Sequence, residues 1–232
     1  MLERMSTLRT TAVIFDLDGT LVDSEPNYFE AGRRLLAEYG VTDFSWERHT
    51  DFIGIGTRET LEALREEYAI GAPVEELLAG KNRHYLELAG AATEVYPEML
   101  KFVELLHGDR VPLAVASGSS RAAIEAVLAG TGLDAFIRTV VSAEEVPRGK
   151  PEPDVFLEAA RRLGAVPADC VVLEDAAPGA VAARAAGMRC VAVPYLPSAA
   201  SDPAFAAADL LYAGGQREFT ARAAYDWLNT AG

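Results

Sequence analysis

The 232-residue chain is half hydrophobic and long enough to bury a full core, as one large domain or as one domain carrying an insertion. Its formal charge of −14 and pI near 4.7 disfavour an extended polyanion partner, because nucleic acid and anionic membrane both need a positive face. A small anion remains compatible if a metal or a local positive cluster receives it, and the only lysines on offer are Lys81, Lys101 and Lys150.

The N-terminus through Thr11 is polar and short, without the apolar core of a signal peptide, and no apolar run is long enough to span a bilayer. A cytoplasmic protein is the expectation. Cys170 and Cys190 each stand at the head of a predicted strand and are expected as inert buried thiols rather than a bridge.

The first element is the apolar run Ala12-Val13-Ile14-Phe15, which stops at Asp16-Leu17-Asp18-Gly19-Thr20. Four apolar residues without alternation predict a central strand covered on both faces, and Gly19 lets the chain leave the sheet at once. Residues at i and i+2 share a side of extended backbone, so Asp16 and Asp18 can face one pocket. Two acids that close repel; both stay ionised only with a cation between them, and otherwise one keeps a proton. Either state is useful. A carboxylate held by Mg²⁺ can attack phosphorus, while a protonated neighbour donates to the leaving oxygen and later takes a proton from water. The plain alternative is an acidic turn. An EF-hand Ca²⁺ loop fits poorly, because Gly19 comes too early and a strand, not a helix, precedes the acids.

Pro26 to Tyr39 reads as a helix, with Tyr28, Ala31, Leu35, Leu36 and Tyr39 on one face, Gly40 beyond its end, and Asp23 and Glu25 in the hinge before it. Leu61, Leu64 and Tyr68 mark a second helix; Val74, Leu77, Leu78, Tyr85, Leu88 and Ala89 mark a third. No strand-like segment lies between Ser24 and Thr93, so a helical insertion interrupts the sheet. From Val95 onward strands and helices alternate, which predicts a parallel sheet built from right-handed crossovers. Pro97 opens a helix to about His107; Leu113 to Ala116 is a strand ending in Ser117-Gly118-Ser119-Ser120; a helix runs through Leu128; a short strand covers Thr139 to Val141. The loop Arg148-Gly149-Lys150-Pro151-Glu152-Pro153 leads to a helix from Asp154 to Leu163. Cys170 to Leu173 is a strand ending in Glu174-Asp175, and Pro178 with Gly187 brackets the next helix. Val191 to Val193 and Leu210 to Tyr212 are the last predicted strands, with a loop at Pro194 to Pro203 and a closing helix around Arg217 to Leu228.

In an open parallel sheet the ligand lies beyond the carboxyl ends of the strands, so the polar stops converge. Asp175, Asp16 and the backbone oxygen of Asp18 offer the hard oxygens that Mg²⁺ prefers, and Glu174 can bind through water. Ser117 and the amides of Gly118 and Ser119 can hold phosphate oxygens, and Lys150 supplies a fixed charge beside Asp16. Each has a dull reading when taken alone: Ser117 as a helix cap, Lys150 as a solvated loop lysine, Glu174-Asp175 as a cap for the helix at Pro178. Their joint occurrence at strand ends favours one site.

Phe-Asp-Leu-Asp-Gly-Thr-Leu-Val-Asp-Ser-Glu at 15–25, Ala-Ser-Gly-Ser at 116–119, Gly-Lys-Pro-Glu-Pro-Asp-Val-Phe at 149–156 and Leu-Glu-Asp-Ala-Ala-Pro-Gly-Ala at 173–180 resemble the four motifs of the haloacid dehalogenase superfamily. The helical insertion resembles the cap of its β-phosphoglucomutase and phosphoglycolate phosphatase branch. The resemblance implies an α/β fold, a Rossmann-like parallel-sheet core (1–22 and 95–232) with an inserted α-helical cap domain (23–94). It implies Asp16 as nucleophile, Asp18 as acid and base, Ser117 and Lys150 as stabilisers of phosphate and intermediate, and Asp16, Asp18, Glu174 and Asp175 as the Mg²⁺ site. Dehalogenases of the family lack the second acid, which is present here as Asp18. Phosphonate hydrolysis would need an imine-forming cap lysine, for which Lys81 is the sole candidate. The mutases carry a histidine where this chain has Tyr28. Glu25 and Arg58 are expected substrate contacts in the cap, with a solvated surface role as the alternative for Arg58.

The expected function is therefore a Mg²⁺-dependent phosphatase acting on a small phosphorylated metabolite through an aspartyl-phosphate intermediate. A hexose-phosphate mutase is the alternative enzyme, and a non-catalytic binding or scaffold protein the alternative of another class. The expected partner is that metabolite, with no nucleic acid and no membrane, and the chain is expected as a monomer or weak dimer.

Overall fold

The first strand, β1 (Ala12–Phe15), is fully buried along its whole length and forms the centre of the sheet. A computed structural model describes residues 12–53 and 55–230; residues 1–11, Gly54 and residues 231–232 lie outside the described residues. From β1 the chain passes through a two-residue strand β2 (Val22–Asp23), the helices α1 (Glu25–Glu38), α2 (Trp46–Thr50), α3 (Thr57–Glu67) and α4 (Val74–Ala92), and a second short strand β3 (Glu94–Val95). It then alternates through α5 (Pro97–Gly108), β4 (Leu113–Ser117), α6 (Arg121–Thr131), β5 (Thr139–Ser142), α7 (Asp154–Leu163), β6 (Cys170–Glu174), α8 (Ala177–Ala185) and β7 (Arg189–Ala192), ending with β8 (Leu210–Leu211) and α9 (Ala221–Thr230).

Six strands form one parallel sheet in the order β5-β4-β1-β6-β7-β8, with Phe15 opposite Val115 on one side and Leu173 on the other. Chain order reverses at β1, so the crevice at the carboxyl ends of β4, β1 and β6 is the ligand position of a doubly wound sheet. This is the α/β, Rossmann-like architecture expected from the alternating pattern. Even an unbroken apolar strand divides its residues between two faces. Val13 and Phe15 pack in one core with Phe102 of α5, Ile124 of α6 and Leu228 of α9, while Ile14 joins Phe156 of α7 and Ala183 of α8 on the opposite face.

The four helices between β2 and β3 bury a separate apolar cluster that includes Leu35, Leu36, Leu61, Leu64 and Leu77. The chain leaves and re-enters the sheet side by side, because β2 and β3 pair as an antiparallel ribbon, Val22 opposite Val95 and Asp23 opposite Glu94. Two-residue strands carry too little pattern to be read in advance. The same holds for α2, a five-residue helix in which only His49 is buried, started by the Ser45 hydroxyl accepting from the Arg48 amide at 3.1 Å. The closing helix begins at Ala221 rather than near Arg217, because residues Gly215–Arg217 form a separate 3₁₀ turn. Both cysteines are free and buried, and no helix among the described residues is long and apolar enough to cross a membrane.

Phe102 joins sheet to helices: its ring lies edge-on to Phe15 at 6.1 Å and to Phe219 at 5.8 Å. Phe102→Ala is expected to cost about 3–5 kcal/mol in urea unfolding, through lost burial and the cavity left behind. A loss under about 1 kcal/mol would contradict the packing described.

Candidate active site

Asp16 is the first residue beyond β1, and its amide still hydrogen-bonds to the Leu173 carbonyl of β6 at 3.0 Å, so its position is set by the sheet. The turn that follows depends on Gly19, which has φ of +81°; a Cβ there would lie 2.3 Å from Oδ2 of Asp175. Thr20 donates its hydroxyl to Asp175 Oδ1 at 3.0 Å, linking the first and fourth motifs. From the third motif Lys150 donates to Asp16 Oδ1 at 2.5 Å and also to Glu174 Oε1, with its ammonium 4.9 Å from the centre of the Phe156 ring. Glu174 is held from its other oxygen, Oε2, which accepts from the Asp175 and Ala176 amides at 3.0 and 3.1 Å.

Asp16, Glu174 and Asp175 offer carboxylate oxygens that all lie within 4.8 Å of one another. Burial, opposed by Lys150 and reinforced by Glu174 and Asp18, raises Asp16 to about 8; burial with Glu174 and Asp16 raises Asp175 well above the carboxylate range. For Lys150 burial works against the charge, and Asp16 and Glu174 overcome it, holding the ammonium above its ordinary value. One ammonium thus faces three acids. A divalent cation coordinated by hard oxygens fits that donor set and that charge deficit.

The Asp18 carboxylate is not in this cluster; the atom expected to serve a cation there is the Asp18 backbone oxygen. Its Oδ1 accepts from the Tyr85 hydroxyl at 3.1 Å and its Oδ2 from Ser119 at 2.6 Å and Ser117 at 3.3 Å. What Asp18 can offer a cation beside Asp16 is its main-chain oxygen. Because Ser119 spends its proton on Asp18, the Tyr28 hydroxyl at 2.7 Å donates to Ser119. The Tyr28 and Tyr85 rings stack with centroids 4.2 Å apart. Burial, with Asp18 adding to it, pushes both phenols well above their ordinary range, so they stay donors. Ser117 also accepts from the Ser119 amide at 3.0 Å, while Ser120, not Ser117, caps α6. Gly118 is exposed on the cavity wall.

Beyond these groups opens a cavity of about 620 Å³ whose far wall comes from the helices. Glu25 is on that wall and holds His49 Nε2 at 2.8 Å. Arg58 is not: half exposed, it turns outward to Glu75 at 3.1 Å and Glu62 at 3.8 Å, as a residue in the first turn of α3 facing solvent would. Sequence reasoning missed several residues that meet here. Tyr85 reads only as a core position of an amphipathic helix, and nothing in that pattern reveals where its hydroxyl goes. Gln216, nearly two hundred residues from the first motif, donates to the carbonyls of Gly19 at 3.2 Å and Thr20 at 2.9 Å, and Tyr195 donates to Asp23 at 3.2 Å. No local signal marks either.

The haloacid dehalogenase-like hydrolase family matches residues 10–187, and with these motifs meeting at the strand ends the chain belongs to that family. It is 37% identical over 188 residues to the fructose-1-phosphate phosphatase YqaB of Escherichia coli, covering 81% of this chain and 98% of that one. It is 35% identical over 192 residues to a bifunctional riboflavin kinase/FMN phosphatase of Arabidopsis thaliana, covering 81% of this chain but only 49% of that longer relative. Among solved structures, CbbY of Rhodobacter sphaeroides in complex with phosphate matches with a TM-score of 0.76 and 26% identity, over 89% of this chain and 97% of that one.

Gly179 gives the site a sharp test. It lies in the first turns of α8, where alanine is normally better for the helix by up to about 1 kcal/mol, yet its Cβ would fall 1.8 Å from Glu174 Oε1. Gly179→Ala is therefore expected to lower stability in chemical denaturation, by displacing a buried carboxylate from its amides. An increase in stability would contradict the placement of Glu174.

Proposed function

We propose that this chain is a Mg²⁺-dependent phosphatase that hydrolyses a small phosphorylated metabolite, in the cytoplasm, through a phosphorylated Asp16. The observation that carries the reading is the cluster of Asp16, Glu174 and the half-buried Asp175, with a single ammonium paired to the first two, at the switch point of the sheet. Asp16, Asp175 and Glu174, with the main-chain oxygen of Asp18, would hold the cation. When bound, Mg²⁺ would neutralise the acids and draw charge from the phosphoryl oxygens.

The chain's own residues then account for the rest. Lys150 steadies Asp16 and Glu174 in one orientation and faces the phosphoryl oxygens. The Gly118 amide is the neutral donor beside them, because the one hydroxyl proton of Ser117 goes to Asp18. Asp16 attacks phosphorus; the bond to the ester oxygen breaks, and Asp18 gives that oxygen a proton. Water then enters, Asp18 takes its proton, and the new P–O bond releases Asp16 and inorganic phosphate. The hydroxyls of Tyr85, Ser119 and Ser117 orient Asp18 for both transfers.

The proposal includes residues 23–94 acting as a cap over a core of 1–22 and 95–232, the side-by-side ribbon of β2 and β3 serving as hinge. Glu25 is the substrate contact retained from the sequence expectation; Arg58 is not. Water as the acceptor, rather than a sugar hydroxyl, is favoured by Asp18 being held by protein hydroxyls with no ligand needed to align it. The phosphatase names among the relatives support the same choice, as do the free thiols for a reducing compartment.

Phosphate release should be detectable from a panel of phosphorylated sugars and polyols with Mg²⁺, fall to background in excess chelator, and return when Mg²⁺ is restored. Asp16→Asn should remove it while circular dichroism and melting show a folded protein. Full activity in chelator, or undiminished turnover by folded Asp16→Asn, would overturn the reading.

A further inference from the structure

The turn that follows β1 is completed by a side chain from the far end of the chain. Beyond Asp18 the backbone closes through the Gly19 amide to the Val22 carbonyl at 2.9 Å, and through the Leu21 and Val22 amides to the Leu17 carbonyl at 3.0 and 3.1 Å. Among the described residues these bonds leave the carbonyls of Gly19 and Thr20, both buried residues, without a main-chain donor. Buried carbonyls need one. Gln216 supplies it, its Nε2 reaching the two oxygens at 3.2 and 2.9 Å.

This turn is tied to the acids on both sides. Gly19 lies against Asp175, since a Cβ on it would fall 2.3 Å from Oδ2, and Thr20 donates to Asp175 Oδ1 at 3.0 Å. Asp18 opens the turn and offers its main-chain oxygen. Two of the proposed ligands therefore move with it.

Gln216 is itself held on a rigid support. It occupies the 3₁₀ turn Gly215–Arg217, between Tyr212 and Phe219, whose buried rings meet edge-on at 5.1 Å. Gly215 has φ of +63°, and a Cβ there would lie 2.4 Å from the Pro194 carbonyl oxygen. The neighbouring Tyr195 amide donates to the Asp175 carbonyl at 3.3 Å. The segment after β7 thus touches the fourth motif through Tyr195 and the first through Gln216.

The other end of the amide shows which half is in use. Oε1 of Gln216 is buried with no hydrogen-bond partner among the described residues, a cost that an apolar side chain would avoid. Turning the amide over would set that oxygen against two carbonyls, so the donor end is what the position supplies. Anchoring the C-terminal segment does not require it. Tyr212 and Phe219 are already buried, and the Ala221 amide donates to Glu98 at 2.9 Å. Every residue placed at the cation, from Asp16 to Asp175, lies within the family match at 10–187, and Gln216 lies beyond it.

We propose that Gln216 is a positioning residue for the cation site: by holding the Gly19 and Thr20 carbonyls it keeps the Asp18 main-chain oxygen and the Asp175 carboxylate in place for the ion. The role rests on the Mg²⁺ reading and extends it to a part of the chain outside the four motifs. Partners that orient metal ligands without touching the metal are typically worth about 10- to 100-fold in affinity.

The test is Mn²⁺ binding to metal-free protein, read from the electron paramagnetic resonance signal of the free ion, with thermal melting alongside. Gln216→Met, which fills similar space without a donor, should weaken binding by about 10- to 100-fold while a cooperative melt shows a folded protein. Gln216→Asn, whose amide falls a methylene short of the carbonyls, should weaken it in the same direction. Glu98→Ala loosens the start of α9 without touching the turn, so it should lower the melting temperature and bind Mn²⁺ as tightly as the wild type does. Wild-type affinity in both Gln216 variants, or an equal loss of affinity in Glu98→Ala, would overturn the positioning role while leaving the metal site standing. Absence of Mn²⁺ binding by the wild type would overturn the metal reading and this role together.

Discussion

The constraint on which the rest of this structure depends is a shortage of positive charge. Three carboxylates from β1 and the end of β6 meet at one point with a single ammonium, Lys150, between two of them. In water such a gathering would cost little, but here every member is buried or nearly so, and Asp16 and Asp175 respond by holding protons more tightly. Neighbouring parallel strands bring the two motif ends together, since Phe15 and Leu173 are directly paired. The fold supplies proximity that repulsion alone would undo. Gly19 and Gly179 then remove the side chains that would otherwise fill the places of Asp175 and Glu174. In the proposed mechanism the same deficit is what a divalent cation and an incoming phosphoryl group are drawn to.

Beside this charged centre stands a group of hydroxyls. Asp18 is one residue removed from the cluster, yet its carboxylate is surrounded by Tyr85, Ser117 and Ser119, with Tyr28 behind Ser119. Tyr28 and Tyr85 come from the helical insertion and the two serines from the end of β4 and the loop after it, so the proposed acid and base is held where the two parts touch. The division of labour follows from i and i+2 geometry less strictly than expected: the side chains leave one strand end together, then diverge, because one is claimed by a lysine and the other by hydroxyls.

The strand-end motifs were legible because each couples an apolar run to an abrupt polar stop, and a parallel sheet leaves few places for such stops to go. Helices α1, α3 and α4 were legible from 3.6-residue periodicity. What escaped has physical reasons. Strands β2 and β3 have two residues each, too few for any pattern. Tyr85 was visible only as a helix position, Lys81 only as one of three lysines, and His49, in a five-residue helix, not at all; the polar ends of Tyr85 and His49 are placed by tertiary contacts with residues 67 and 24 positions away. Gln216 reaches the first motif across nearly the whole chain. Arg58 illustrates the reverse error: a cation in a Gly-rich cap loop suggests an anion contact, while two nearby glutamates outside the cavity hold it instead.

The most direct test is to trap the covalent state. Enzyme quenched during turnover of a phosphate monoester with Mg²⁺, then treated with borohydride, should carry homoserine in place of the phosphorylated aspartate. Peptide mass mapping should find it at Asp16, and only in samples that received substrate. Steady turnover with no reducible adduct, or with the adduct on another residue, would contradict the account.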